Sequence, residues 1–207
     1  MLLKKEKWPD FVGKLAGKKL WAPKADGDVM RFAPVAEGET PALDFKNTRV
    51  PPKGAVFPQT ETMYLFKLGS EEMEEPRLEE EMIVLGIRPC DARAMSIVEK
   101  LFKWDIDDPY YLKRREMVTL VGLACNEPGL NCFCTSVGGG PASTDGLDLL
   151  MVDLGESYLL EAVTVKGEAI LADVGDLLVK ADADARLRDG WTPEMISPSF
   201  LFSGVSR

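Results

Sequence analysis

The sequence predicts an α/β domain, or an α+β variant of it, in which helices flank a mixed sheet and cysteine loops follow the C-terminal ends of strands. Two continuous apolar runs, at 82–87 and 118–124, have the length and composition of strands buried on both faces. A helical pattern that begins at Pro89 separates them, and alternation of strand and helix is typical of this fold class. All four cysteines follow predicted strands.

The first 60 residues predict three smaller elements. Residues 1–20 predict an amphipathic helix, because apolar side chains recur at helical spacing at Trp8, Phe11, Val12 and Leu15. Residues 21–35 predict a hairpin, and 36–60 predict an extended connection, because that segment is rich in proline and glycine. We therefore divide the chain into a segment of 1–60 and a cysteine-bearing α/β domain of 61–207, which together form one compact unit.

Beyond Pro89 the pattern predicts the rest of the sheet and its helices. The helix from Pro89 is expected to present one apolar stripe, formed by Ala94, Ile97, Val98, Leu101 and Phe102. A third strand is predicted at 147–154, and a fourth at 158–163 pairs with it through a turn. Helical segments around 167–187 complete the predicted fold.

Charge and composition exclude several classes of function. The 207 residues carry a net charge of −9, which argues against a nucleic-acid partner, because phosphate binding needs clustered Lys and Arg. The chain has no histidine, which excludes Ser-His-Asp and Cys-His catalytic arrangements within it. It has no Gly-x-Gly-x-x-Gly motif, so we expect it to bind no flavin or nicotinamide itself. We predict no catalytic residue.

The sequence predicts a cytoplasmic protein without a membrane partner. No apolar run approaches the roughly 18–20 residues that a membrane helix needs, and no apolar core of a signal peptide follows the charged N-terminus. Acidic side chains are concentrated at 71–75 and 79–81. Such runs usually form a solvated face or loop, and a docking surface for a basic partner is the alternative.

The four cysteines are expected to meet in one crevice. Cys90 lies between the first buried strand and its helix, Cys125 follows the second buried strand directly, and Cys132 and Cys134 lie in the loop beyond it. Ligands of open α/β sheets bind beyond the C-terminal ends of strands, so neighbouring strands would place all four sulfurs together. Disulfides are not expected in a cytoplasmic protein.

Cysteine-only ligation suits either zinc or an iron–sulfur cluster, both of which take four thiolates. The spacing matches neither a zinc knuckle nor the cysteine run of bacterial ferredoxins. Spacing alone therefore leaves iron–sulfur, zinc and metal-free thiols open. A further alternative is an enzyme in which Cys132 and Cys134 cycle as a dithiol, activated by a nearby cation.

Three neighbouring features favour an iron–sulfur cluster, which carries net negative charge when bound to thiolates. Cys90 lies at a predicted helix N-terminus, where the dipole and free N–H groups favour anions. Arg88 could offset charge or donate a hydrogen bond to sulfur, and the glycines at 138–140 could leave N–H groups free to approach sulfide. We therefore predict Arg88 and Gly138 as cofactor-binding residues, with a surface ion pair and an ordinary turn as the alternatives.

Several motifs occur in an order that resembles one known family. The central ones are Gly86-Ile87-Arg88-Pro89-Cys90-Asp91-Ala92-Arg93-Ala94, Asp108-Pro109-Tyr110-Tyr111-x-x-Arg114-Arg115, Gly122-x-x-Cys125 and Asn131-Cys132-Phe133-Cys134-Thr135-Ser136-x-Gly138. Flanking ones are Pro51-Pro52-Lys53, Phe57-Pro58-Gln59-x-Glu61 and Gly146-x-Asp148-Leu149. Across 45–170 the chain resembles the N-terminal domain of the beta subunit of cytoplasmic sulfhydrogenases and of the related iron–sulfur subunit of anaerobic sulfite reductases.

The resemblance implies an electron-transfer subunit of a multi-subunit oxidoreductase that works in anaerobic metabolism. Such subunits pass electrons between a flavin subunit, which meets a nicotinamide cofactor, and a catalytic subunit. The family's cysteine motifs correspond here to Cys90, Cys125, Cys132 and Cys134, which we expect to hold one [4Fe–4S] cluster. Members usually continue into a ferredoxin-like region rich in cysteines, whereas this sequence has no cysteine after Cys134. We therefore expect either a lone-domain relative or a separate ferredoxin-like subunit.

The tyrosine and arginine pairs of the second motif, at 110–111 and 114–115, have two interpretations. Tyrosine pairs before a strand usually pack in the core with a hydrogen-bonded rim, whereas arginines can hold a carboxylate or phosphate. We expect these residues to support the cysteine loop and not to bind a ligand.

Overall fold

The structure is a computed structural model that describes residues 1–41, 43–76 and 80–181. Ten strands and four α-helices form this described part. The strands are β1 Leu2–Lys4, β2 Lys19–Asp26, β3 Val29–Pro34, β4 Leu65–Phe66, β5 Met73–Glu74, β6 Met82–Ile87, β7 Val118–Leu123, β8 Leu149–Asp153, β9 Ser157–Ala162 and β10 Leu178–Val179. The helices are α1 Trp8–Leu15, α2 Pro89–Glu99, α3 Pro109–Met117 and α4 Val165–Asp173. Short 3-10 helices lie at Lys5–Lys7, Pro52–Ala55, Cys134–Val137 and Gly175–Leu177.

Eight strands form one mixed sheet in the order β10-β1-β9-β8-β7-β6-β2-β3. The four strands β2, β6, β7 and β8 run parallel, and the outer pairs are antiparallel. The predicted α/β class with a mixed sheet is therefore confirmed. Strands from both 1–60 and 61–207 join this sheet, and the division at residue 60 stays a prediction.

Two apolar cores cover the two faces of the sheet, because successive side chains of a strand point to opposite faces. In β6, Ile83 and Leu85 belong to the core shared with α1 and α4. Val84 and Ile87 belong to the core shared with α2 and α3. The continuous apolar runs of the sequence thus correspond to strands buried on both faces, as predicted.

The predicted helix of 1–20 is wrong at both ends. Residues Leu2–Lys4 form β1, which pairs with β9 and β10, and β2 already begins at Lys19. The helix α1 begins at Trp8 and has a proline in its first turn, where the missing N–H is not needed. The predicted stripe is nevertheless buried in full: Trp8, Phe11, Val12 and Leu15. Periodicity located the face of the helix and missed its ends.

Helix α2 begins at Pro89 as predicted, but it ends at Glu99, before Leu101 and Phe102, and its buried face differs. The residues that it buries are Pro89, Ala92 and Met95. Ile97 and Leu101 are instead 54% and 64% exposed, whereas Val98 and Phe102 pack against the core. The predicted stripe is therefore wrong for Ala94, Ile97 and Leu101. Apolar residues occupy two sides of this helix, and spacing alone does not tell which side meets the sheet.

Strands β4 and β5 form a separate hairpin within 61–76 that the sequence analysis did not predict. Its apolar side chains are all exposed: Met63, Tyr64, Leu65, Phe66, Leu68 and Met73. The acidic residues of 71–75 are exposed as well, which confirms a solvated segment there. Residues 77–79, and with them the start of the second acidic run, lie outside the described residues.

The second family motif builds the helix α3 and its junction with β7. The carboxylate of Asp108 accepts hydrogen bonds from the N–H groups of Tyr110 and Tyr111, at 2.9 and 3.0 Å, and so caps the helix. Tyr111 is buried. Arg115 donates to the carbonyl oxygen of Val118, the first residue of β7. These contacts support the start of β7 and not the cysteine loop, and the absence of ligand binding by this motif stays a prediction.

The C-terminal part of the described chain is only partly helical. Helix α4 ends at Asp173, and a 3-10 helix and the strand β10 follow within the region predicted as helical, 167–187. Residues 182–187 of that prediction lie outside the described residues. Among the described helices, none has the length and the apolar character that crossing a membrane would require.

Asp148 is buried beside the start of β8 and joins three elements. Its carboxylate accepts hydrogen bonds from the N–H of Leu120, at 2.8 Å, and from the hydroxyl of Thr164, at 2.7 Å. We expect Asp148→Ala to lower the free energy of unfolding by about 3 kcal/mol, because both donors lose their acceptor. Urea denaturation measures this. In the matched variant Asp148→Asn the amide oxygen can still accept from Leu120, so an equally large loss there would contradict the explanation.

Candidate metal centre

A bulge at Gly86 directs the end of β6 toward the first cysteine. The pairing with β7 shifts register between Leu85 and Ile87. Gly86 has φ of +83°, a left-handed conformation that favours glycine, and a Cβ at this position would lie 2.9 Å from Cδ2 of Leu43. Bulges beside functional sites re-aim the residues that follow. Here the bulge at Gly86 sets the direction in which the chain continues to Arg88.

Arg88 is buried behind the ends of β6 and β7, with only 7% of its surface exposed. Its guanidinium donates to the carbonyl oxygens of Ala124, at 2.9 Å, of Leu123, at 3.3 Å, and of Phe45. Its Cζ lies 4.4 Å from the centroid of the Phe45 ring, and its Nε is buried without a partner among the described residues. Arg88 is therefore not in a surface ion pair, and it holds positive charge next to Cys125.

Cys90 is the second residue of α2 and lies at its N-terminus, as predicted. The N-cap residue, Arg88, provides no side-chain cap. The free N–H groups expected at this helix start are mostly absent, because Pro89 has no N–H and those of Asp91 and Ala92 donate to the carbonyl oxygen of Arg88 at 3.0 and 3.1 Å. The helix dipole still favours a negatively charged group there.

Two hydrogen bonds hold the loop that follows β7. The N–H of Cys125 donates to the carbonyl oxygen of Pro141 at 2.9 Å. The side-chain amide of Asn126 donates to the carbonyl oxygen of Asp153 at 2.7 Å. The start of the cysteine loop is thus tied both to its own far end and to the end of β8.

Cys132 and Cys134 lie on either side of Phe133 in this loop. The N–H of Gly129 donates to Sγ of Cys132 at 3.1 Å. Cys134 begins a 3-10 helix, Cys134–Val137. Backbone donors to sulfur are therefore present in the loop, and Gly129, which the sequence analysis did not single out, supplies one of them.

The glycines after this 3-10 helix do not have the free N–H groups that were expected. Gly138 has φ of +74° and ends the helix. Its N–H donates to the carbonyl oxygen of Thr135 at 3.3 Å, and that of Gly139 donates to the carbonyl oxygen of Cys134 at 2.8 Å. That expectation is wrong for these two residues, because the helix end uses both donors. Contact of Gly138 with a cofactor stays a prediction.

All four cysteines line one cavity of about 510 Å³ beyond the C-terminal ends of β6 and β7. Cys90 and Cys132 are exposed, and Cys125 and Cys134 are partly buried. In the described residues, no three side chains of the metal-binding types are close enough to hold one ion. The fold therefore brings the four thiols to one cavity without closing them around a metal.

Burial raises the pKa of three of the thiols. It raises the pKa of Cys90 to about 11, with a smaller contribution from the neighbouring Asp91 carboxylate. The residue nevertheless reaches solvent at the cavity, so this sulfur is only partly desolvated. Burial also raises the pKa of Cys134 and of Cys125, where the charge of Arg88 acts in the opposite direction. A catalytic dithiol needs a lowered thiol pKa, so the raised pKa of Cys134 counts against the dithiol alternative.

We expect Cys90 of the metal-free protein to react about a hundredfold more slowly with iodoacetamide at pH 7 than an ordinary thiol, because so little of it is thiolate. With a pKa raised to about 11, the rate should rise about tenfold per pH unit until the pH approaches that value. Mass spectrometry of the alkylated peptide measures the rate. The same protein unfolded in urea is the control, and its rate should level off at a lower pH. Fast alkylation of folded protein at pH 7 would contradict the burial of this sulfur.

Arg93 is a cavity residue that the sequence analysis did not single out. It lies one helical turn after Cys90 and lines the same cavity. Its Nη1 is buried without a partner among the described residues, and its Nε lies 3.7 Å from the Asp145 carboxylate. A Cβ at Gly139 would lie 2.9 Å from Nη1, so the glycine leaves room for the guanidinium. The three-residue spacing from Cys90 is the signal that could have identified Arg93.

The residues around the cavity fit a thiolate-bound, negatively charged group. Four thiols supply the donor set of a [4Fe–4S] cluster or of a zinc site. Arg88 and Arg93 each keep one buried N–H without a partner among the described residues, and buried donors of this kind are rare in proteins. Positive charge and unpaired donors beside the thiols suit a bound anionic group, such as a cluster, better than they suit four uncharged thiols.

The chain is similar to sulfhydrogenase 2 subunit beta of Pyrococcus furiosus, with 28% identity over 176 residues. The match covers 84% of this chain and 52% of the relative, so the chain spans about half the length of the curated relative that it matches. This relative comes from the family that the sequence motifs resemble, and that resemblance is confirmed. No protein-family model matches the chain. No solved structure matches it either.

Proposed function

We propose that this chain is an iron–sulfur electron-transfer subunit of a multi-subunit oxidoreductase, in which Cys90, Cys125, Cys132 and Cys134 hold one [4Fe–4S] cluster. The observation that carries the proposal is that every cysteine of the chain lines the same cavity. Four cysteines from three separate places in the sequence have no packing reason to meet there. Shared ligation of one group explains the arrangement.

The surroundings of the thiols support the proposal. When bound, a [4Fe–4S] cluster accepts and releases one electron. Arg88 would hold positive charge behind Cys125, and its fixed contacts to three carbonyl oxygens would keep that charge in place. Arg93 would supply a second guanidinium at the cavity wall. Neither arginine needs to move for this role.

A zinc-binding or metal-free scaffold subunit is the second candidate. One observation favours its metal-free form: the described thiols share a cavity but are not gathered into a group that could hold an ion. Zinc would also accept four thiolates. The unpaired arginine donors favour the cluster, because its sulfides offer acceptors in addition to the cysteine thiolates that either metal site would provide.

The complex in which this chain works is also a proposal. Its relative is named a subunit of a sulfhydrogenase, so we propose a hydrogenase, a sulfite reductase or a related flavin-linked assembly. The partners would be three other subunits: one that binds a flavin or NAD(P), one that is ferredoxin-like and one that is catalytic. We propose a cytoplasmic location and no catalytic residue on this chain.

Visible absorption of protein purified without oxygen tests the proposed function. We expect a brown protein with broad thiolate-to-iron absorbance, which bleaches on addition of dithionite and returns on mild reoxidation. Reversibility separates an electron carrier from adventitious iron. A colourless protein that contains zinc or no metal would instead support the scaffold candidate.

A further inference from the structure

Three exposed apolar side chains line the cysteine cavity, and a fourth lies in the cysteine loop beside it. Ile97, Phe133 and Val137 line the cavity, and each is more than half exposed. Leu130, in the same cysteine loop, is fully exposed. We call these four residues the mouth patch. A group of exposed apolar residues marks a candidate interaction site, and this group, unlike the apolar hairpin of 61–76, borders the cavity that the cysteines line.

The outward position of Ile97 does not follow from the packing of its helix. Helix α2 is held on the sheet by Ala92 and Met95, which are fully buried. Ile97 adds nothing to that core and lies on the side of α2 that borders the cavity. An apolar side chain kept in this position gains stability only if another surface covers it.

We infer that the mouth patch is the docking surface of a redox protein whose contact surface is apolar and uncharged. The inference rests on the proposed function, because the patch surrounds the thiols that we propose to hold the cluster. Cys90 and Cys132 reach solvent at this cavity. Electron exchange requires the two redox centres to approach closely, and a protein seated on the mouth patch would approach these cysteines directly.

The charges around the cavity determine which kind of partner fits. Among the described residues that line it, the only charged ones are Asp91 and Arg93, which have opposite signs. The chain as a whole carries a net charge of −9. A partner attracted by charge would therefore bind to the charged surface outside the cavity. Docking at the mouth patch should depend little on salt concentration.

The exposed hairpin of 61–76 provides a matched control surface. Its Glu61 forms an ion pair with Arg114, and Glu75 lies 3.8 Å from Lys113. Both basic residues belong to α3, which leads into the start of β7, whereas the cavity lies beyond the end of β7. Leu68 in this hairpin is almost as exposed as Leu130 of the mouth patch. The hairpin, however, contacts the helix before β7, whereas the mouth patch lies beyond the end of β7.

Photo-crosslinking in the cells that naturally contain the chain tests this inference. The photoreactive residue p-benzoyl-phenylalanine replaces Leu130, Ile97 or, as the control, Leu68 in the full chain. We expect positions 130 and 97 to give an adduct with the same protein, and that protein to contain a flavin or an iron–sulfur cluster. Position 68 should not give this adduct.

Kinetics with the purified crosslinked protein provide the second arm. We expect its second-order rate of electron exchange with the chain to change less than about twofold between low and high salt. Leu130→Ser should lower that rate about tenfold, because one exposed leucine no longer becomes buried on docking. Leu68→Ser, an identical change at the control surface, should leave the rate unchanged.

Several results would overturn the docking surface. They are adducts only with a second copy of this chain, adducts with a protein that has no redox cofactor, no adduct at either patch position, and a rate that falls steeply with salt. Iron and sulfide are measured separately in each variant. Iron without the adduct overturns only the docking surface, whereas a native chain without iron overturns the proposed function whatever the adducts show.

Discussion

Cys125→Ser is expected to reduce the iron content from about four per chain to below about one, and to abolish the visible absorbance. Cys125 is held in place by its N–H bond to Pro141, and it lies next to the buried charge of Arg88. Serine keeps the size of the side chain but replaces a soft sulfur ligand by a hard oxygen. The loss therefore reports ligation and not packing. Metal analysis after anaerobic purification measures it.

Leu130→Ser is the matched control for this experiment. It introduces serine in the same loop, at a side chain that is fully exposed and does not line the cavity. Its iron content should equal that of the native protein. If Cys125→Ser kept its full iron content and colour, Cys125 would not be a ligand, and the four-cysteine site would be wrong.

Arg88→Met is expected to lower the free energy of unfolding of the metal-free protein by about 3 kcal/mol. Methionine can keep the apolar contact with Phe45, but the carbonyl oxygens of Leu123, Ala124 and Phe45 lose their buried donor. A buried carbonyl oxygen without a hydrogen-bond donor destabilises the folded state, and this variant leaves three of them in that condition. The same variant should bind less iron, because the positive charge beside Cys125 is gone. Urea denaturation and metal analysis measure the two effects.

Arg88→Lys separates charge from geometry. Lysine keeps the charge, but its compact ammonium group cannot reach three carbonyl oxygens in the way that the planar guanidinium does. We expect its stability to lie between the native protein and Arg88→Met, and its iron content to stay closer to native. A fully stable Arg88→Met would show that the guanidinium contacts do not hold the loop.

The parallel centre of the sheet could be predicted because its signals are local. The runs at 82–87 and 118–124 are almost entirely apolar, and short runs of that composition are typical of a strand covered on both faces. The strands also give the positions of Cys90 and Cys125, since each residue lies within three residues of a strand end. The common cavity of the four thiols was therefore within reach of sequence reasoning.

Contacts between distant segments could not be predicted in the same way. Arg88 and Phe45 are 43 residues apart, and nothing in either neighbourhood indicates that they meet. The face of α2 was mispredicted for a related reason. Both Met95 and Ile97 are apolar, and only the position of the sheet decides that Met95 is buried and Ile97 is not.

The backbone hydrogen bonds in the cysteine loop could not be predicted from the sequence either. A run of three glycines suggests free N–H groups, but the 3-10 helix at Cys134–Val137 uses those of Gly138 and Gly139. The hairpin of β4 and β5 was missed because its strands have two residues each. Strands of that length leave no periodic pattern in the sequence.

Iron and acid-labile sulfide analysis, combined with EPR after dithionite reduction, tests the central claim most directly. The sample is the native chain purified without oxygen. We predict about four irons and four sulfides per chain, with an S = 1/2 signal in the reduced protein. Zinc in place of iron, or no metal at all, would contradict the electron-transfer account and leave a scaffold role as the explanation of the four-thiol cavity.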